Sequence, residues 1–263
     1  MDRRTYLKTS AGTVAGLSLA GCLDSITGGG GDEEGDDNTI TPATAPGFAP
    51  FEMKEDGELV GFDVDLLEAV VAETDYELGE WEEFEFDSLI PALVNDRVDV
   101  VAAAMTITED RDENIDFSDP YYSANQAVLV QAGSDFQPSS LEDLAGRPIG
   151  AQKGTTGEGV VQSRIEDGTY EESDYNAYDN YVFAVEDLEN GNIDAVVLDD
   201  PVANTFASNR DVEVSFVHET DEEYGFGVQD GASDVQSALN EGLQTVRDDG
   251  TYEELTNKWF ASE

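Results

Sequence analysis

The sequence predicts an α/β fold in two lobes, on three observations. From Asn38 onward, short apolar runs of strand length alternate with amphipathic stretches of helical period, the pattern of layered helices and sheets. The alternation breaks at Asp116-Phe117-Ser118-Asp119-Pro120-Tyr121-Tyr122, where a proline follows a polar turn, and again over Glu219 to Glu223. A chain that crosses between lobes at both breaks returns its last helical stretch, Ser233 to Phe260, to the lobe where it began.

The strand expectations in order are Thr39 to Thr44, Val98 to Ala104, Ala127 to Val130, Pro148 to Gln152, Ala195 to Leu198 and Val212 to Val217. Helical spacing links Val64, Leu67, Val70 and Val71, then Leu89, Leu93 and Val94, then Val235, Leu239, Leu243 and Val246. Gly61, Gly146, Gly191 and Gly250 punctuate the element ends, as glycine does where a chain must turn. No internal repeat of fixed period is present.

Charge excludes several functions. The 263 residues hold 12 Lys+Arg against 60 Asp+Glu. Arg3, Arg4 and Lys8 with Asp2 precede Cys22, leaving 9 bases against 59 acids after it, a formal charge of −50. Such a surface repels nucleic acid and anionic headgroups, so no nucleic-acid partner is expected. The acids do not fall into a metal-loop pattern such as D-x-[DN]-x-[DN]-G, so no metal or cofactor is expected either. Spread along the chain, they read as a solvated surface whose self-repulsion is screened within about 3 Å at molar salt, like that of an extreme halophile's protein.

The first 22 residues read as an export segment. Arg3-Arg4 resembles a twin-arginine signal, and the small and apolar run from Thr9 to Ala20 is too short to span a bilayer permanently,. It ends in Leu19-Ala20-Gly21-Cys22, which resembles a lipobox. Cys22 is the only cysteine, so no internal disulfide can form, and lipidation there would anchor the chain to the membrane,. Residues 23–38 are acidic and Gly-rich, with Gly28 to Gly31 in one run, the composition of a flexible tether,.

Eight motifs then follow in order. They are Phe48-Ala49-Pro50-Phe51-Glu52, Gly61-Phe62-Asp63-Val64-Asp65-Leu66, Phe86 to Leu93, Thr106 to Arg111, Asp116 to Tyr122, Gln152 to Gly157, Asp194 to Asp200, and Gly250-Thr251-Tyr252 through Trp259-Phe260. Together the series resembles the polar amino-acid family of substrate-binding proteins of ABC importers, over essentially everything after the tether. The resemblance implies a periplasmic-binding-protein-like type 2 fold, two α/β lobes with two hinge crossovers and a ligand cleft between them. It divides the chain into residues 39–120 and 224–263 as lobe 1 and 121–223 as lobe 2. It implies a monomer that closes on its ligand and meets ABC-transporter permease subunits at the outer face of the cytoplasmic membrane.

The cleft residues follow from the chemistry of a zwitterion. A guanidinium fork suits a carboxylate, and Arg111 is one of nine bases after Cys22. An isolated arginine in so acidic a chain reads as a surface pair with Glu109 or Asp110, but Thr108-Glu109-Asp110 has the form of a helix start, which adds free N–H groups. Thr156, after the Gly154 turn, supplies a similar donor from the other lobe; no Gly-Lys-Ser/Thr follows, so the turn is not a phosphate loop. The resemblance assigns Asp200 to the ammonium, with the Ala104 carbonyl, and pairs Thr106 with Arg111. It makes Phe48 and Phe86 the aromatic walls, which plain core packing also explains, and Gln152 a reader of the side chain.

Where basic-amino-acid and glutamine binders of the family carry an aspartate, this chain has Ala45, which argues against lysine or arginine as ligand. With Gln152 placed to read the side chain, a small amino acid, neutral polar or aliphatic, is expected. A dehydratase-like enzyme and a ligand-sensing module on the same fold are the alternatives. The single histidine, His218, falls outside the cleft motifs, and no catalytic residue is expected.

Overall fold

The computed structural model describes residues 38–260; the export segment, Cys22 and most of the Gly-rich stretch lie outside the described residues. Two five-stranded sheets organise the rest. The first runs in the order Glu82–Glu83, Pro42–Thr44, Val100–Val101, Gly227–Gln229, Ile115–Phe117. Its first three strands are parallel, and Gly227–Gln229 is antiparallel to both its neighbours. The second runs Tyr175–Tyr178, Ile149–Gln152, Ala195–Asp199, Tyr122–Gln131, Val212–Tyr224, again three parallel strands followed by antiparallel ones.

The chain leaves the first sheet after Phe117, enters the second at Tyr122, and returns between Tyr224 and Gly227. Both crossings belong to one long antiparallel ribbon, with Tyr224 opposite Tyr122 and Glu222 opposite Ala124. This is a mixed α/β fold of two lobes, as the alternation of elements implies.

Helices cover the sheets for the reason their spacing gives. Phe62–Ala72 buries Phe62, Val64, Leu66, Leu67, Val70 and Val71, the apolar stripe of a 3.6-residue period,. Ser233–Asp248 turns Leu239, Gly242, Leu243 and Val246 inward and packs on Phe62–Ala72, as does Thr251–Phe260. The C-terminal helices therefore do cover the first lobe. Thr156–Glu166, Tyr181–Glu189 and Asp200–Asn209 serve the second.

The structure departs from the sequence expectations at four strands. Thr39 to Thr44 divides into Thr39–Ile40, which pairs with Glu77–Leu78 in a separate two-stranded sheet, and Pro42–Thr44 in the first five-stranded sheet. Val98 to Ala104 forms a strand only at Val100–Val101. Beyond it the backbone turns out of the sheet, Ala104 taking φ 43° and giving its N–H to Asp63 Oδ2 at 2.6 Å. The expected Ala127 to Val130 is the centre of a longer strand, Tyr122–Gln131. Glu219 to Glu223, read as a break, continues the strand Val212–Tyr224 through an irregularity between His218 and Glu222, with Asp221 at φ 50°. A bulge keeps both strands paired while re-aiming one side chain: Glu222 turns inward while Glu219, Asp221 and Glu223 stay exposed.

One glycine ties the first lobe's loop to its helix. Gly61, at φ 147°, stands where a Cβ would lie 2.0 Å from the Phe51 carbonyl oxygen. That closeness lets Phe62 N–H reach Pro50 O at 2.9 Å and Asp63 N–H reach Phe51 O at 3.0 Å, which sets the loop carrying Phe48 and Glu52. Gly61→Ala is expected to destabilise the fold by roughly 3 kcal/mol, from strain and overpacking together. Urea unfolding in molar salt measures it, and an unchanged midpoint would contradict the close approach.

Candidate ligand-binding cleft

Between the two sheets lies a small, nearly filled cavity of about 10 Å³. Ala45, Phe48, Glu52, Phe86, Ala104, Thr106 and Arg111 line it from the first lobe, and Gln152, Thr155, Thr156 and Asp199 from the second. Seven of the eight residues expected at the site therefore meet around one space. A larger, open groove of about 850 Å³ runs past Pro46, Met53, Phe84 and Phe183, but it gathers no buried charge.

Arg111 is held by local structure. Thr108 caps the short helix Glu109–Asp112, its hydroxyl accepting from Arg111 N–H at 3.3 Å. The side chain points inward and is 9 % exposed. Nη1 donates to Thr106 O at 2.6 Å and Nη2 to Gly154 O at 2.9 Å, the second bond reaching the other lobe. The guanidinium lies over the Phe86 ring, 5.4 Å from its centroid. Two of its five N–H groups are so engaged, leaving three for a carboxylate. Burial pulls its pKa down, while Asp199 and Glu222 hold the charge in place. Neither Glu109 nor Asp110 forms an ion pair with it among the described residues.

The opposite lobe supplies an acid, at a position one residue from the expected one. Asp199, the last residue of Ala195–Asp199, is 3 % exposed and lines the cavity. Asp200 does not; its Oδ1 accepts from Asn125 N–H at 2.8 Å at the start of the next helix. Asp199, and not the expected Asp200, is the acid at the cavity, because the strand continues through Asp199 and carries its side chain into the cleft. Gln126 Nε2 donates to Asp199 Oδ1 at 2.5 Å. Burial, followed by the charge of Glu222, pushes the Asp199 carboxyl well above the ordinary range.

The remaining expected residues take the following places. Phe48 is 7 % exposed and packs on Tyr181 of the other lobe, with ring centroids 5.7 Å apart, while Phe86 is half-buried beneath Arg111. Gln152 Oε1 accepts from Tyr181 N–H at 3.2 Å. Thr156 opens the helix Thr156–Glu166, whose cap is the Thr155 hydroxyl, accepting from Glu158 N–H at 3.2 Å. The cleft is closed: Thr106 Oγ1 and Thr156 Oγ1 are 3.4 Å apart, and at its mouth Asn180 Nδ2 donates to Pro46 O at 2.8 Å. His218 is half-exposed in a separate shallow depression with Ser140 and Glu142.

Two acids that sequence reasoning left unassigned are fully buried here. Glu52 lines the cavity with neither carboxyl oxygen bonded within the protein, and burial, then Asp63 and Asp199, raise its pKa well above the usual carboxylate range. Asp63 Oδ2 accepts from Ala104 N–H and from Tyr121 Oη–H, both at 2.6 Å. Burial outweighs those two bonds and lifts its pKa to about 7. Both acids sit inside quoted motifs, but acids are so frequent in this chain that nothing marked these two as buried.

Asp63 makes a pH prediction. In the unfolded chain its pKa is about 3.9, so from about pH 4 to pH 7 the folded state keeps a proton that the unfolded state has lost. The Asp63 contribution to stability therefore declines as pH rises through that window and is level above it. Asp63→Asn removes this decline. Urea unfolding across the window should show the variant's stability rising relative to the parent, and a constant difference would contradict the buried protonated carboxyl.

Residues 40–262 match the bacterial extracellular solute-binding proteins, family 3. A probable histidine-binding protein of Campylobacter jejuni is 33 % identical over 260 residues, covering 97 % of this chain and 98 % of its own. A putative ABC transporter arginine-binding protein of Escherichia coli is 36 % identical over 229 residues, covering 84 % and 90 %. Among solved structures, an ancestral arginine-binding protein bound to arginine superposes with a TM-score of 0.80 at 38 % identity, covering 85 % of this chain and 99 % of that one. With two α/β lobes closed over a polar cavity, and with this match along nearly the whole described chain, the protein belongs to family 3 of the bacterial extracellular solute-binding proteins.

Proposed function

We propose that this chain is the solute-binding component of an ABC importer, that it closes on a polar amino acid, and that it presents the ligand to permease subunits. The observation that carries the reading is the pairing of one buried guanidinium and one buried carboxyl group, Arg111 and Asp199, from opposite lobes on one cavity. A zwitterion bridges such a pair, its carboxylate on Arg111 and its ammonium on Asp199, and so favours the closed state by its differential contacts. The names of the relatives agree in class. Residues 39–120 with 224–263, and 121–223, are the two bodies that move in this reading, hinged on the ribbon they share.

Glu52 narrows the ligand. Ala45 supplies no carboxylate, but Glu52 lines the same cavity with two unbonded oxygens, and an unpaired buried carboxyl group costs free energy until a donor reaches it. In this reading the ligand is an amino acid whose side chain carries N–H groups, such as glutamine, histidine or arginine, so Glu52 readmits the arginine that Ala45 argued against and replaces the small aliphatic alternative. Small aliphatic side chains would leave Glu52 unpaired. The mode in this reading is binding without turnover, which the names of the relatives support. Glu52 and Asp199 are the lining groups able to act as general acid or base,, and product analysis tests whether they do.

The twin-arginine-like start and Leu19-Ala20-Gly21-Cys22 support export with a lipid anchor at Cys22, on the outer face of the cytoplasmic membrane. A formal charge of −50 after Cys22 supports a monomer working in concentrated salt, where like charges are screened.

A thermal-shift screen of the twenty amino acids in molar salt tests the reading. One or a few with N–H-bearing side chains should raise the melting temperature, and product analysis should find them unchanged. If none raises it, the amino-acid reading fails. Arg111→Ala and Asp199→Asn should each weaken the best ligand by roughly a hundredfold, the scale for removing one partner of a buried charge pair; an unaltered affinity would overturn the assignment.

A further inference from the structure

One buried carboxyl group sits beside the cleft without lining its cavity. Glu222, on the crossing strand Val212–Tyr224, is 8 % exposed. It adjoins Thr106 and Thr156 in a second, open depression, so the threonine pair separates it from the cavity. Its Oε2 accepts from Thr106 Oγ1 at 2.9 Å and from Thr156 Oγ1 at 2.8 Å. Its Oε1 accepts from Gln126 Nε2 and from Thr220 Oγ1, both at 2.9 Å. Thr106 belongs to the first lobe, Thr156 to the second, and Gln126 and Thr220 to the ribbon between them.

The arrangement has two consequences. A hydroxyl has one proton. The two threonine oxygens stand 3.4 Å from each other but 2.9 and 2.8 Å from Glu222 Oε2, and Thr156 Oγ1 also accepts from Gln126 Nε2 at 3.1 Å. The carboxylate is therefore the nearer acceptor for both protons, and toward the cavity the hydroxyls offer lone pairs. They can accept from an ammonium or a side-chain N–H; they cannot donate to a carboxylate, which is left to Arg111 and the backbone N–H groups. The second consequence concerns closure. A carboxylate buried only for packing needs donors from one side, whereas two of these four come from opposite lobes and are separated when the lobes part. Hydrogen bonds to a charged group are among the stronger ones, so their loss opposes opening.

We infer that Glu222 is a positioning residue of the ligand site: it holds the Thr106 and Thr156 hydroxyls across the closed cleft as acceptors, and so couples recognition to closure. The recognition half rests on the amino-acid reading. The closure half does not, and the test separates them.

The full chain, with Cys22 replaced by serine and nitroxide labels on cysteines placed at Glu85 and Phe183, reports the interlobe distance by pulsed electron paramagnetic resonance in molar salt without ligand. Glu222→Ala and Thr156→Val should each lengthen the distance distribution, and the double variant should lengthen it no further than the larger single effect. Unchanged distributions in both would overturn the closure half. If circular dichroism shows that Glu222→Ala does not fold, Glu222→Gln and Thr156→Val decide in its place by the same criterion. With L-glutamine, L-histidine and L-arginine as probes, calorimetric affinity for whichever binds the parent should fall roughly tenfold in the Glu222 variant, and an equal affinity would overturn the recognition half. If none of the three binds the parent, the recognition half falls together with the amino-acid reading, while the distance measurement still decides closure.

Discussion

The cleft depends on one guanidinium group buried among carboxyl groups. Arg111 is the only buried base among the described residues, and Glu52, Asp63, Asp199 and Glu222 are buried around or near it. Four ionised carboxylates against one cation would be untenable in a low-dielectric interior. Burial raises the pKa values of Glu52, Asp63 and Asp199, which line or adjoin the cavity, and so lessens the negative charge the interior has to carry. Arg111 in turn is fixed by two backbone carbonyls, one from each lobe, and so its position is defined only when the lobes are together. A ligand with a positive centre changes this balance, because it gives at least one buried acid a reason to ionise.

The contrast with the surface is a matter of partners. Of the nine bases after Cys22, Lys54, Arg147, Lys153, Arg164, Arg210 and Lys258 pair with acids at or near the surface. Such pairs contribute little individually, and most acids have no cation to pair with at all. Salt in the medium does for the exterior what raised carboxyl pKa values and Arg111 do for the interior. Closure of the cleft is therefore governed by a few buried groups, and the high acid content bears on solubility and repulsion.

Much of this was legible in the sequence. The α/β class, the packing of the C-terminal helices on Phe62–Ala72 and the Thr108 cap follow from period and turn residues, and the ordered motif series contains seven of the residues that line the cavity. The misplacements have physical causes. Asp199 and Asp200 stand together at a strand-to-helix junction, and a boundary uncertain by one residue exchanges which side chain faces the cleft. Glu222 lies in a run with Glu219, Asp221 and Glu223, where only a bulge, set by pairing with a distant strand, decides which acid turns inward. Glu52 and Asp63 lie in recognisable motifs, yet in a chain with 60 acids residue type carries almost no information about burial.

A crystal structure of the protein with the amino acid that stabilises it most would test the central claim directly. The account predicts the ligand carboxylate on the free N–H groups of Arg111, its ammonium within hydrogen-bonding distance of Asp199, and its side chain directed to Glu52. A ligand lying in the reverse orientation, or bound outside the space between Arg111 and Asp199, would contradict it.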